Sequence, residues 1–187
     1  MWYDDPMKNL VIHPNDPSTD FLKTVYKDLP DVTLVTGGCY KDDIRRMIEA
    51  HDRVIMLGHG TPHGLLGMSA FPHCNFIVDD SHADVLKEKD NSVFIWCNAD
   101  QYVRYNKLRG VFTGMFVSEV GEARMMGLPW NVTQNHVDES NEAFVKAVSM
   151  VIDDDPELLH NYVKHEYGEI TWRNPVAKYN YDRLYLS

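Results

Sequence analysis

Five short apolar runs, each followed by a segment of helical periodicity, constrain this chain more than any other feature. The runs are Asn9–Ile12, Val32–Val35, Arg53–Leu57, Ser92–Trp96 and Gly110–Val117. Strands this continuously apolar need burial on both faces, which a parallel sheet covered by helices provides. The intervening segments supply those helices. Asp16-Pro17 reads as an N-cap with proline at the first helical position, followed by Phe21, Leu22, Val25 and Leu29 on one face. Further helices are predicted over Asp42–His51, from Asp80 or Ser81 to Glu88, and over Tyr102–Leu108, Glu139–Ile152 and Pro156–Tyr167. Gly64–Met68 and Asn75–Val78 read as a small hairpin, and the tail Tyr179–Leu186 as an edge strand with Tyr179, Tyr181 and Tyr185 on one face. The predicted fold class is α/β, a three-layer αβα sandwich with a mostly parallel central sheet.

At 187 residues the chain suits a single α/β domain spanning 1–187, with neither repeats nor linkers to divide it. A formal net charge of -10 argues against sequence-independent nucleic-acid binding and against docking on anionic membrane, so no nucleic-acid or membrane partner is expected. No apolar stretch approaches the roughly 20 residues of a membrane span. The first residues lack a basic-then-apolar secretory pattern, and three widely spaced cysteines (Cys39, Cys74, Cys97) do not form a disulfide framework. A reducing cytoplasmic location is expected. Nothing in the sequence bears on oligomeric state.

In open parallel sheets, ligands bind outside the carboxyl ends of the strands. His59 follows the third run within Leu57-Gly-His-Gly60, and Cys97 follows the fourth. If those strands are neighbours, both side chains emerge at one rim. A thiol nucleophile, an imidazole base and amide donors for an oxyanion together suffice for cysteine hydrolase chemistry. Cys97 and His59 are the candidate nucleophile and base, and the amides of Gly60 and Cys97 the candidate oxyanion hole. An activated Cys97 is expected to react faster near neutral pH than Cys39 or Cys74, which read as core thiols.

Two other chemistries compete for the same stretch. His59, His63, His73 and Cys74 offer zinc-compatible ligand types, but they present no regular helical face and no paired Cys-x2-Cys, so no metal is assigned. Gly58-x-Gly60-x3-Gly64 departs from the dinucleotide fingerprint, and Pro62 interrupts any helix start. A Rossmann-like nucleotide or sugar-phosphate binder stays open because the sheet type is shared. No cofactor is called for.

The ordered set of a strand ending in His59-Gly60, the Gly64–Met68 hairpin, a helix from Asp79 to Glu88, and Val93-Phe-Ile-Trp-Cys97 resembles the caspase-like cysteine peptidases, the group of caspases, gingipains, legumains and separases. The resemblance covers roughly residues 9–118. It implies a caspase-like domain, a His59–Cys97 dyad that cleaves peptide bonds, and a peptide or protein substrate. Asp100, Glu119 and Glu122, near the same rim, are candidates to receive a basic side chain. Caspases carry a glycine two residues after the nucleophile, where this chain has Ala99. A catalytically inactive caspase-like binding or regulatory module is therefore the alternative. Met125, Met126 and Trp130 are expected to pack in the core or its rim, with Phe144, Val145, Val148, Val151 and Ile152. His136, His160 and His165 are expected at the surface.

Overall fold

The computed structural model describes residues 7–71, 73 and 75–187. Its centre is a six-stranded sheet in the order β2-β1-β3-β7-β8-β9. The strands are β1 (Asn9–Ile12), β2 (Val32–Val35), β3 (Arg53–Leu57), β7 (Ser92–Ile95), β8 (Gly110–Thr113) and β9 (Leu184–Leu186). The first five run parallel, and β9 closes the edge antiparallel to β8. Every residue of β1, β3, β7 and β8 is buried, whereas the edge strands β2 and β9 are partly exposed. Full burial of the inner strands is what their unbroken apolar runs require.

The side-chain period of two sorts these strands into two cores. Leu10, Ile12, Val54, Met56, Phe94 and Phe112 meet one helical layer through Ile44 and Ile48 of α1 (Lys41–Ala50), Val85 and Leu86 of α2 (Ala83–Leu86), and Tyr102 and Val103 of α3 (Ala99–Asn106). Val11, Ile55, Leu57, Val93, Ile95 and Val111 meet the other layer. That layer is built from the 3-10 helix Pro17–Tyr26, α5 (Gln134–Val151) and α6 (Pro156–Gly168), with Leu22, Val25, Phe144, Val148, Leu159 and Val163 inward. The αβα sandwich follows from this sorting. A smaller cluster of Val117, Ala123, Val132, Val137 and Val176 joins α4 (Val120–Met125), α5 and α7 (Pro175–Tyr181) beside the β8 exit.

Above the rim of the main sheet lies a second, antiparallel sheet of β4 (Gly60–Thr61), β5 (Gly64–Leu66) and β6 (Phe76–Val78). The expected hairpin is there, extended by β4. Other boundaries differ from the periodicity. The fifth strand stops at Thr113, and α5 begins five residues before Glu139, where Thr133 caps it with His136. Tyr179 and Tyr181 lie in α7 instead of a strand, because Asn174 caps and Pro175 starts a short helix there. Met125, Met126 and Trp130 are exposed, Trp130 by 94%, because α4 and the turn after it stand at the surface of the third cluster. No helix among the described residues is long and apolar enough to cross a membrane.

One buried cation locks the layers together. Arg53 starts β3 at 1% exposure, and its guanidinium donates to the carbonyls of Ile152 (2.6 Å) and Asp154 (2.7 Å) and to Asp153 Oδ1 (3.3 Å). It thereby satisfies carbonyls that the C-terminal end of α5 leaves unpaired.

Candidate active site

Strand register places the two predicted residues together. Leu57 of β3 is opposite Ile95 of β7, and the Gly58 amide donates to the Ile95 carbonyl at 3.1 Å. His59 is two residues past the first member of that pair and Cys97 two past the second. Both line one narrow cleft at the carboxyl rim, together with Thr19, Leu22, Gly58, Phe116 and Ser118. In the order β2-β1-β3 the chain leaves β1 first to one side and later to the other, so this rim is also the sheet's topological switch point.

Each residue is held by a different device. Gly58 has φ +137°, a conformation that favours glycine, where the chain turns from β3 into β4. Gly60 lies flat on the Trp96 indole, and a Cβ there would overlap the ring. Trp96 is buried against Phe94 and Tyr102, and its Nε1 donates to the Thr61 carbonyl at 3.1 Å. The residue before Cys97 therefore pins the strand that follows His59. Past Cys97 the chain turns sharply into α3 through Asn98, which is left-handed at φ +65°; asparagine tolerates that region better than most residues. The Asn98 amide donates to the Gly114 carbonyl and the Ala99 amide to the Trp96 carbonyl, so the turn is closed on itself and on β8.

Cys97 is not poised as the sequence predicts. Its thiol donates to the Phe116 carbonyl at 3.3 Å, and burial, with Glu122 adding to it, pushes its pKa up to about 11. In this state the thiol is neutral. No hydrogen bond joins it to His59 among the described residues. The physical reason is the loop Gly114–Ser118, which brings the Phe116 carbonyl onto the sulfur of a half-buried Cys97. Cys39 is partly buried and donates weakly to the Gly37 carbonyl at 3.7 Å. Cys74 lies outside the described residues.

His59 turns toward the exit of β1. Its Nε2 is 2.6 Å from Ser18 Oγ, and Ser18 Oγ is 2.6 Å from Asp16 Oδ1, which also accepts the Ser18 amide at 2.9 Å. These hydrogen bonds from Ser18 hold the Asp16 carboxyl below its ordinary range. The sequence marks Asp16 as a helix cap and leaves Ser18 without a role. The available signal was position, since Asp16-Pro-Ser18 follows the β1 strand as His59 follows β3. What it lacked was the knowledge that β1 and β3 are neighbours.

The three candidate carboxylates separate. Glu122 Oε2 accepts from the Ser118 amide (2.8 Å), the Ser118 hydroxyl (3.2 Å) and the Glu119 amide (3.2 Å), and so caps α4. Asp100 pairs with Arg104 at 3.5 Å, one turn along α3. Glu119 is exposed and lines a groove that runs from Pro17 and Ser18 to Gln134, Asp138 and Asn141 of α5.

His63 is exposed and faces a different pocket with Asp80, Gln101 and Tyr105, while His73 stacks on Tyr40. Among the described residues no three His, Cys, Asp or Glu side chains gather as a metal site. The glycines of Gly58–Gly64 open into β4 and β5 and do not begin a helix.

No family model matches the chain, and no curated protein matches it significantly. Among solved structures, the crystal structure of an NADPH-quinone reductase from P. pentosaceus is similar over 86% of this chain and 98% of that one, at 15% identity and a TM-score of 0.34. A likeness at that level carries nothing about chemistry.

Proposed function

We propose that the chain is a cysteine peptidase-like hydrolase of the caspase-like group, with Cys97 as nucleophile and His59 as general base. The observation that carries this is the β3–β7 register, which sets both residues two positions beyond one strand pair and in one cleft. Peptide binding displaces the Phe116 carbonyl from the sulfur. His59 takes the thiol proton, and the thiolate attacks the scissile carbonyl carbon. The amides of Gly60 and Cys97 receive the developing oxyanion, with Gly60 leaving room for a close approach. The tetrahedral adduct collapses as His59 passes the proton to the leaving amine, and water then hydrolyses the thioester. Glu119 and Asp138 line the groove beside Ser18 and favour a basic side chain in the substrate.

A second function is favoured by one specific observation. The half-buried, neutral Cys97 thiol suits a non-catalytic binding module that keeps the fold without the reaction.

Peptidyl acyloxymethyl ketones that differ in one residue, Arg against Asp, separate the two. A hydrolase forms a thioether at Cys97, faster with Arg, and His59→Ala slows capture at least 100-fold. Folded protein that no such probe captures at Cys97 overturns the hydrolase.

A further inference from the structure

The hydroxyl of Ser18 carries one proton and stands 2.6 Å from two groups, Asp16 Oδ1 and His59 Nε2. An ionised carboxylate is acceptor-only. Asp16 is held ionised by the hydrogen bonds of Ser18. The Ser18 proton is thereby committed to Asp16. A contact of 2.6 Å from the same oxygen to His59 Nε2 is then attractive only if Nε2 bears the hydrogen and donates it. Asp16 Oδ1 is itself 3.9 Å from Nε2, too far for a direct bond, so Ser18 stands between them.

We infer that Asp16 and Ser18 form a relay of positioning residues that holds His59 in the Nε2–H tautomer and leaves Nδ1 as its basic nitrogen. This rests on the hydrolase proposed above for its purpose, since Nδ1 is then the atom that takes the proton of Cys97. The device itself is independent of that purpose. No other hydrogen bond to the His59 ring competes with it among the described residues. The relay is anchored at its Asp16 end. The Ser18 amide donates to Asp16 Oδ1, and the Thr19 amide and hydroxyl both donate to the Asp16 carbonyl at 3.1 Å. The turn Asp16–Thr19 is thus fixed without His59, so loss of the Ser18 hydroxyl leaves its backbone in place. A histidine base beside a nucleophile is in general oriented by a third group.

The test is the tautomer itself. In protein labelled with 15N at histidine, at pH 8, two-bond proton–nitrogen correlations of His59 are expected to show protonated Nε2 and bare Nδ1. Ser18→Ala is expected to shift both nitrogens toward tautomer averaging, and Ser18→Thr to restore the wild-type pattern. A wild-type ring protonated at Nδ1, or a pattern unmoved by Ser18→Ala, overturns the relay. Probe capture at Cys97 is measured on the same samples. If the relay serves catalysis, Ser18→Ala slows capture about 10- to 100-fold and Ser18→Thr recovers most of it, a range ordinary for loss of an orienting group. An Nε2–H ring that responds to Ser18→Ala, with no capture in any variant, retains the relay and sinks the hydrolase. Capture in wild type with the tautomer unchanged by Ser18→Ala does the opposite.

Discussion

Gly60 shows how narrowly a single residue can be prescribed. Its Cα lies on the face of Trp96, so a methyl group there must displace a buried indole that is bonded to Thr61. Gly60→Ala is expected to lower stability by roughly 1–3 kcal/mol, read by urea denaturation. With Trp2 replaced by phenylalanine, the emission of buried Trp96 should shift red as the ring gives way, against a constant background from the exposed Trp130 and Trp172. Cys97 is prescribed by its surroundings in the opposite sense. With a thiol pushed up to about 11, its alkylation by iodoacetamide is expected to be slow at pH 7.5, roughly 100-fold below an ordinary cysteine. The rate should climb as pH approaches 11. Mass spectrometry of the alkylated peptides checks this, and a Cys97 that outpaces Cys39 at pH 7.5 contradicts the buried neutral thiol.

At the scale of elements, α7 controls the loop that covers Cys97. Asn180 is 1% exposed, and its side chain both accepts from the Val117 amide (2.7 Å) and donates to the Val117 carbonyl (2.8 Å). Val117 adjoins Phe116, whose carbonyl holds the thiol. Asn180→Ala leaves two buried backbone groups without partners, at a cost of about 1–3 kcal/mol each before relaxation. The expected outcome is lower stability, faster hydrogen exchange at the Val117 amide, and faster alkylation of Cys97. Unchanged alkylation with clear destabilisation would separate α7 from the cover.

Across the whole molecule, one buried histidine ties the fold to pH. His13 sits at the end of β1, 2% exposed, with Nδ1 3.0 Å from Tyr26 Oη and Nε2 3.1 Å from Thr19 Oγ1. The Thr19 hydroxyl donates to the Asp16 carbonyl, so it accepts from His13 Nε2, and Tyr26 donates to Nδ1. A neutral ring satisfies every partner. Burial, aided by Lys23, lowers its pKa from 6.5 to about 4. The folded state therefore binds fewer protons than the unfolded chain between those values. Stability from this group is complete above pH 6.5 and is lost as pH falls toward 4, on the order of 3 kcal/mol. Urea titrations at pH 7 and 4.5 check it, and His13→Gln should flatten the difference.

Sequence alone determined the layers of this protein. Apolar runs too continuous for a half-exposed strand, set between segments of helical period, admit little besides a parallel sheet between two helical layers. It also set His59 and Cys97 directly past two such runs, at strand exits. The partners of those exits were illegible, since register and strand order depend on contacts between residues tens of positions apart. Only the tertiary structure set β1 beside β3, which turned the helix cap Asp16-Pro-Ser18 into the neighbour of His59. Only it set the Phe116 carbonyl against the thiol, where partial burial, a property of the assembled cleft and of no single residue, makes Cys97 a neutral acid.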